Sequence, residues 1–187
     1  MTRGRIALML FGAQLLSGCG TVAALNPFSS SSPQATAPSG APCPSAVVLR
    51  PLAQTAVFAP GAARQPLGVA FYGLLSDVDA RCEGLGGAVH ASLDVVVIGE
   101  RGPAAGKGEG VDLQYFVAVT GADQAILSKR SFPVRIAIPA DAKRAGVTDH
   151  IEETVPLGGR SPGDLSIVVG FQQSPEIVDF YRHYRGR

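Results

Sequence analysis
The chain has 187 residues, with 16 lysines and arginines against 15 aspartates and glutamates, 23 glycines, 14 prolines and no tryptophan. The near-neutral balance argues against a nucleic-acid partner, which would ordinarily require a strongly basic domain. The length supports one domain with a tail, and helix-forming runs are scarce in a sequence so rich in glycine and proline.

Two arginines, Arg3 and Arg5, precede an apolar run from Ile6 to Leu16, and the small residues Ser17 and Gly18 follow it. Charged, apolar and then small is the order of a secretory signal. The run falls short of the roughly 20 residues a membrane-spanning helix needs, so it reads as a segment that is processed and removed. The next residue is Cys19, and Leu16-Ser17-Gly18-Cys19 resembles the lipobox of bacterial lipoproteins. The resemblance covers about the first twenty residues only. It implies cleavage after residue 18, diacylglycerol on the Cys19 thiol and acylation of the new amino group. Stable anchoring takes more than one acyl chain, at about 0.8 kcal/mol per buried methylene, and this modification supplies several. Gly20 is not the aspartate that resembles an inner-membrane retention signal, so the resemblance favours a cell-envelope protein on the periplasmic face of the outer membrane. An ordinary cleaved signal followed by an incidental cysteine is the alternative.

Residues 20–42 carry no charge and hold five serines, four prolines and five alanines. They bury too little apolar area to order themselves, so 19–42 is expected to be a lipidated cysteine and flexible tether, with a reach of about 25–30 Å. Loss of Arg3 and Arg5 with the signal leaves the rest of the chain close to neutral. With Cys19 lipidated, Cys43 and Cys82 remain as an even pair in an oxidising compartment, which predicts a disulfide. Closing its loop would remove about 4 kcal/mol of unfolded-state freedom on the chain-entropy model. A redox role would need a close Cys-x-x-Cys pair, which is absent.

The domain expected over 43–172 is written in period two. "SAVVLRPL" opens it. In "GVAFYGLLSDVDARCEG", alternation assigns Tyr72, Leu74, Ser76, Val78, Ala80 and Cys82 to one face and Asp77, Asp79 and Arg81 to the other. "AVHASLDVVVIGE" sets Val89, Ala91, Leu93, Val95 and Val97 on one face, and "VDLQYFVAVTG" does so with Leu113, Tyr115, Val117 and Val119. "GADQ" at 121–124 reads as the turn into "AILSKRSFPVRIAIP", whose Pro133 marks a bulge or a sheet edge. "HIEETVPL" and "GDLSIVVGFQQ" supply two more strands. About seven short strands separated by turns predict an all-β sandwich of immunoglobulin or fibronectin type, with a small β-barrel as the alternative. Over 173–187, Ser174 as N-cap, Pro175 at the first helical position and Glu176 in the first turn predict a short helix with Ile177, Tyr181 and Tyr184 on one stripe.

Gly106-Lys107 in "GERGPAAGKGEG", 99–110, invites comparison with a phosphate-binding loop. That motif needs glycine at position 101, where Arg101 stands, and Ser or Thr where Gly108 stands, so the stretch reads as a hairpin loop. His90, His150 and His183 are isolated, with no ligand spacing for a metal. His90 falls on the charged face of its strand, and His150 with Glu152 and Glu153 reads as a polar strand edge. No Gly-x-Ser-x-Gly elbow or Ser-x-x-Lys pair is present. No metal, cofactor or catalytic residue is therefore assigned. The basic and aromatic end, Tyr181, Arg182, Tyr184, Arg185 and Arg187, has two accounts. Cations near a helix C-terminus complement its dipole; alternatively the group contacts an anionic partner such as lipid headgroups, a cell-wall polymer or an acidic protein surface.

These readings converge on a non-enzymatic, lipid-anchored module that joins an envelope assembly as an accessory subunit, its partners being the membrane through Cys19 and an envelope protein. An envelope hydrolase with its site in the sandwich loops is the contrasting reading. It would gain if two or more of His90, His150, Glu152, Asp94 and Asp112 met within hydrogen-bond reach. A small-ligand carrier is a third, requiring an apolar cavity.

Overall fold
The computed structural model describes residues 43–108 and 110–184. Eight strands and one helix follow in the order β1 (Ser45–Val48), β2 (Gln54–Phe58), β3 (Val69–Leu85), β4 (Ala88–Arg101), β5 (Gly110–Thr120), β6 (Ile126–Ala137), β7 (Arg144–Pro156), β8 (Ser166–Phe171) and α1 (Pro175–His183). They form two four-stranded sheets, β1-β8-β5-β6 and β2-β3-β4-β7. All pairings are antiparallel except β1 with β8. Each sheet ends in edge strands, so the fold is the expected sandwich and the barrel alternative is set aside. The additional strand is β2: "QTAVF" was not anticipated, and its partner is the first half of β3.

The alternating residues of β4 and β5 become the core as expected. Val89, Ala91, Leu93, Val95 and Val97 face Leu113, Tyr115, Val117 and Val119 across the inter-sheet space, joined by Ile136, Ile167, Val169 and Phe171. Burying side chains of this size contributes about 1.5–3 kcal/mol each. The 121–124 turn closes the β5–β6 hairpin, with the Gln124 amide donating to the Gly121 carbonyl and Gln124 at positive φ. Pro133 lies on β6, which is an edge, where its missing N–H costs no ladder bond.

The face assignment of β3 is corrected. The register with β4 shifts between Leu75 and Asp77, leaving Ser76 as an extra residue. A bulge of one residue reverses the alternation. Val78, Ala80 and Cys82 point into the core as expected, but there they join Phe71 and Leu75. Tyr72 and Leu74 are thereby turned to the outer face. Gly73 faces the core, where a Cβ would lie 2.7 Å from Leu113 and 2.8 Å from Thr55.

Cys43 and Cys82 form the expected disulfide, with Cα atoms 5.3 Å apart, tying the segment before β1 to the far half of β3. On the opposite flank, edge strand β7 turns Asp149 and Glu153 inward. Tyr115 donates to Asp149 at 2.7 Å, and Arg130 of β6 pairs with Glu153 at 2.8 Å. Glu153 is only 6% exposed, so β7 is wider in role than the polar edge expected of it. Inward charges on edge strands oppose edge-to-edge aggregation, and here they also bridge the sheets.

Candidate functional site
Helix α1 has the predicted start: the Ser174 hydroxyl accepts from the Ile177 amide, and Pro175 and Glu176 occupy the first turn. The helix lies against the outer face of the second sheet. Phe180, 5% exposed, packs with Ala56 and Val69, and Phe58, Tyr72, Ile177 and Tyr181 surround them. Its ring meets Phe58 edge-on at 5.2 Å and lies 5.2 Å from both Tyr181 and Tyr184. The Gln173 amide donates to the Gln54 carbonyl at 2.6 Å, fixing the approach of the helix to β2.

Between α1 and the sheet runs an open groove of about 720 Å³. Tyr72, Leu74 and Ile98 line it from the sheet, Phe180, Tyr181, His183 and Tyr184 from the helix, and Gln54, Glu100 and Arg144 contribute polar groups. Burial raises the Tyr181 phenol well above the ordinary tyrosine range, with nearby Tyr72 adding to the effect. Glu100 pairs with Lys143 at 3.3 Å. His183 is held within the helix, its Nδ1 being 2.9 Å from the Asp179 carbonyl oxygen. Of the basic and aromatic group named from sequence, Tyr181 and Tyr184 line the groove and Arg182 is exposed outside the lining. Cys19, Arg185 and Arg187 lie outside the described residues.

The other half of the same sheet face is polar. Asp94 of β4 contacts His150 of β7 and Arg81 of β3, both at 2.5 Å, and Ser92 donates to Glu152 at 2.8 Å. The His150 hydrogen bond holds the Asp94 carboxyl below the usual carboxylate range; partial desolvation opposes this and the Arg81 guanidinium reinforces it. Asp94 and His150 therefore meet, and Glu152 stands beside them in the ladder. His90 is exposed opposite Glu83 and Thr154, and Asp112 pairs with Arg135 on the other sheet, so these two do not join the cluster. An aspartate accepting from an imidazole orients that ring for proton transfer. Here the imidazole is 74% exposed along its side chain, and the neighbouring hydroxyl of Ser92 is committed to Glu152. Among the described residues no group of three or more His, Cys, Asp or Glu side chains is placed to hold a metal.

The glycine-rich stretch is not the expected hairpin loop: β4 and β5 belong to different sheets, and the connection is shorter, because β4 runs through Arg101 and β5 begins at Gly110. Arg101 organises the loop: its guanidinium donates to the carbonyls of Gly106, Gly108, Ile138 and Ala142. The residue that breaks the phosphate-loop spacing is thus the clamp holding this inter-sheet connection.

Comparison of the chain with protein-family models, curated proteins and solved structures finds no match.

Proposed function
We propose that this chain is a lipid-anchored interaction module of the bacterial cell envelope, an accessory subunit that presents its sandwich to a partner protein from the periplasmic face of the outer membrane. The groove between α1 and the second sheet carries the reading, because it gathers Tyr72, Tyr181, Tyr184 and Phe180 around a concave surface with a guanidinium at one end. Tyrosine and arginine are over-represented among residues that dominate binding energy at interfaces. The lipobox-like Leu16-Ser17-Gly18-Cys19 supplies the anchor in this reading, and the uncharged segment after it supplies the tether.

In-cell cross-linking followed by mild-detergent co-purification, beside a Cys19→Ser version, tests the proposal. A specific envelope protein recovered in stoichiometric amount, and lost or weakened without the lipid, is the expected result. Recovery of the protein alone would overturn it.

The second reading, an envelope hydrolase, draws support from the Asp94–His150 contact. It differs in location as well as chemistry, since that pair lies on the polar half of the sheet face. A His150→Ala loss of hydrolysis of an envelope polymer, with partner recovery unchanged, would favour it.

A further inference from the structure
We propose that the groove takes an extended segment of a partner protein in which an aromatic or branched aliphatic side chain stands next to a carboxylate. The inference rests on the docking reading above and narrows it to one chemistry.

The direction and length of the groove come from the strand register. Ala56, Tyr72, Glu100 and Arg144 form one row across β2, β3, β4 and β7, and Gln54, Leu74 and Ile98 form the row beside it. The lining thus crosses the whole sheet, about 14 Å at the spacing of neighbouring strands. That is the span of roughly four extended residues. Its volume also lies within the range of about 300–1,000 Å³ typical of ligand-enclosing pockets.

The chemistry comes from the side chains. Tyr72, Leu74, Ile98 and the rings of α1 offer apolar and aromatic surface, which favours a ring or branched chain packed edge-on or offset. At the β7 end stands Arg144. Its cross-strand neighbour is Glu100, but the Glu100 carboxylate goes to Lys143, and among the described residues Arg144 makes no ion pair. A guanidinium presents a planar fork of donors that matches a carboxylate with two parallel hydrogen bonds. Arg144 is exposed, so a neutral apolar segment would gain nothing from that fork, whereas an acidic residue beside the apolar one engages both features at once.

The test uses the full-length protein in mild detergent and a dye-labelled hexapeptide, Gly-Ser-Phe-Asp-Gly-Ser, read by fluorescence anisotropy. Versions with Phe→Ala and with Asp→Asn serve as controls. The parent peptide is expected to bind at least about ten-fold more tightly than either control, an energy step of about 1.4 kcal/mol. Arg144→Gln should abolish the preference for Asp over Asn while keeping that for Phe over Ala and leaving the thermal midpoint unchanged. Equal binding of all three peptides, or an Asp preference that survives Arg144→Gln, would overturn the proposal. So would binding seen only in a chain ending at Tyr184, which would assign the groove to the chain's own last three residues. If the peptides fail to discriminate while an envelope partner is still recovered from cells, this chemistry fails and the docking reading stands.

Discussion

Two of the four tyrosines, Tyr115 and Tyr181, have environments that oppose ionisation. Tyr115 is fully buried and donates to the Asp149 carboxylate; burial raises its phenol first and the neighbouring acceptor adds to it. Tyr181 is raised chiefly by burial against the sheet. A folded-state value above the unfolded one means that the stabilisation is complete below the unfolded value, near pH 10, and is lost as pH rises toward the folded one. Ultraviolet titration should therefore show Tyr115 and Tyr181 ionising only as the fold is lost. Ionisation of Tyr115 or Tyr181 with the fold intact would contradict these placements. At this scale the sequence was partly readable. It singled out Tyr181 and Tyr184 by type and position, but it did not reveal Phe180, which anchors the helix, because Phe180 and Tyr181 are adjacent and spacing from Ile177 alone does not decide which of the two faces the sheet. The role of Arg101 was equally hidden, since a guanidinium binding backbone carbonyls depends on a loop path that no spacing rule encodes.

Among the elements, β4 and β5 were legible because one face of each is buried throughout; β4 alternates along its length, while in β5 Phe116 and Ala118 on the other face are buried as well. Strand β3 was legible as a strand but not in its facing. Ser76 is the extra residue, and a small polar residue at the crossover looks the same whether it belongs to the inner or the outer set. The consequence reaches the candidate site: the bulge turns Tyr72 and Leu74 toward α1 while keeping Cys82 pointed at Cys43. Deleting Ser76 should force a choice between these. With the Tyr72 end held by β2, Val78, Ala80 and Cys82 would swing outward; thiol titration should then find Cys43 and Cys82 free, and stability should fall by several kcal/mol through lost core burial. A deletion variant that retains the disulfide and its thermal midpoint would show that the bulge is dispensable. Strand β2 escaped notice for a different reason, since five residues between proline-containing turns give too short an alternation to stand out.

For the molecule as a whole, the two sheets follow from strand count and alternation, while the groove does not, being assembled from residues more than a hundred positions apart. Its location bears on the proposed anchor. The disulfide holds Cys43 to Cys82, and eight positions along β3 separate Cys82 from Leu74 in the groove, about 26 Å of strand. A tether ending at Cys43 would thus meet the sandwich far along β3 from the groove. The outer face of the first sheet, carrying exposed Val47, is the alternative contact surface.

Site-specific photo-cross-linking in cells separates these surfaces most directly, with a benzophenone amino acid placed at Tyr184 in one strain and at Val47 in another. The proposed function requires one discrete adduct with an envelope protein from position 184 and none from position 47. An adduct from position 47 alone, or no adduct from either, would contradict a partner-docking role for the groove.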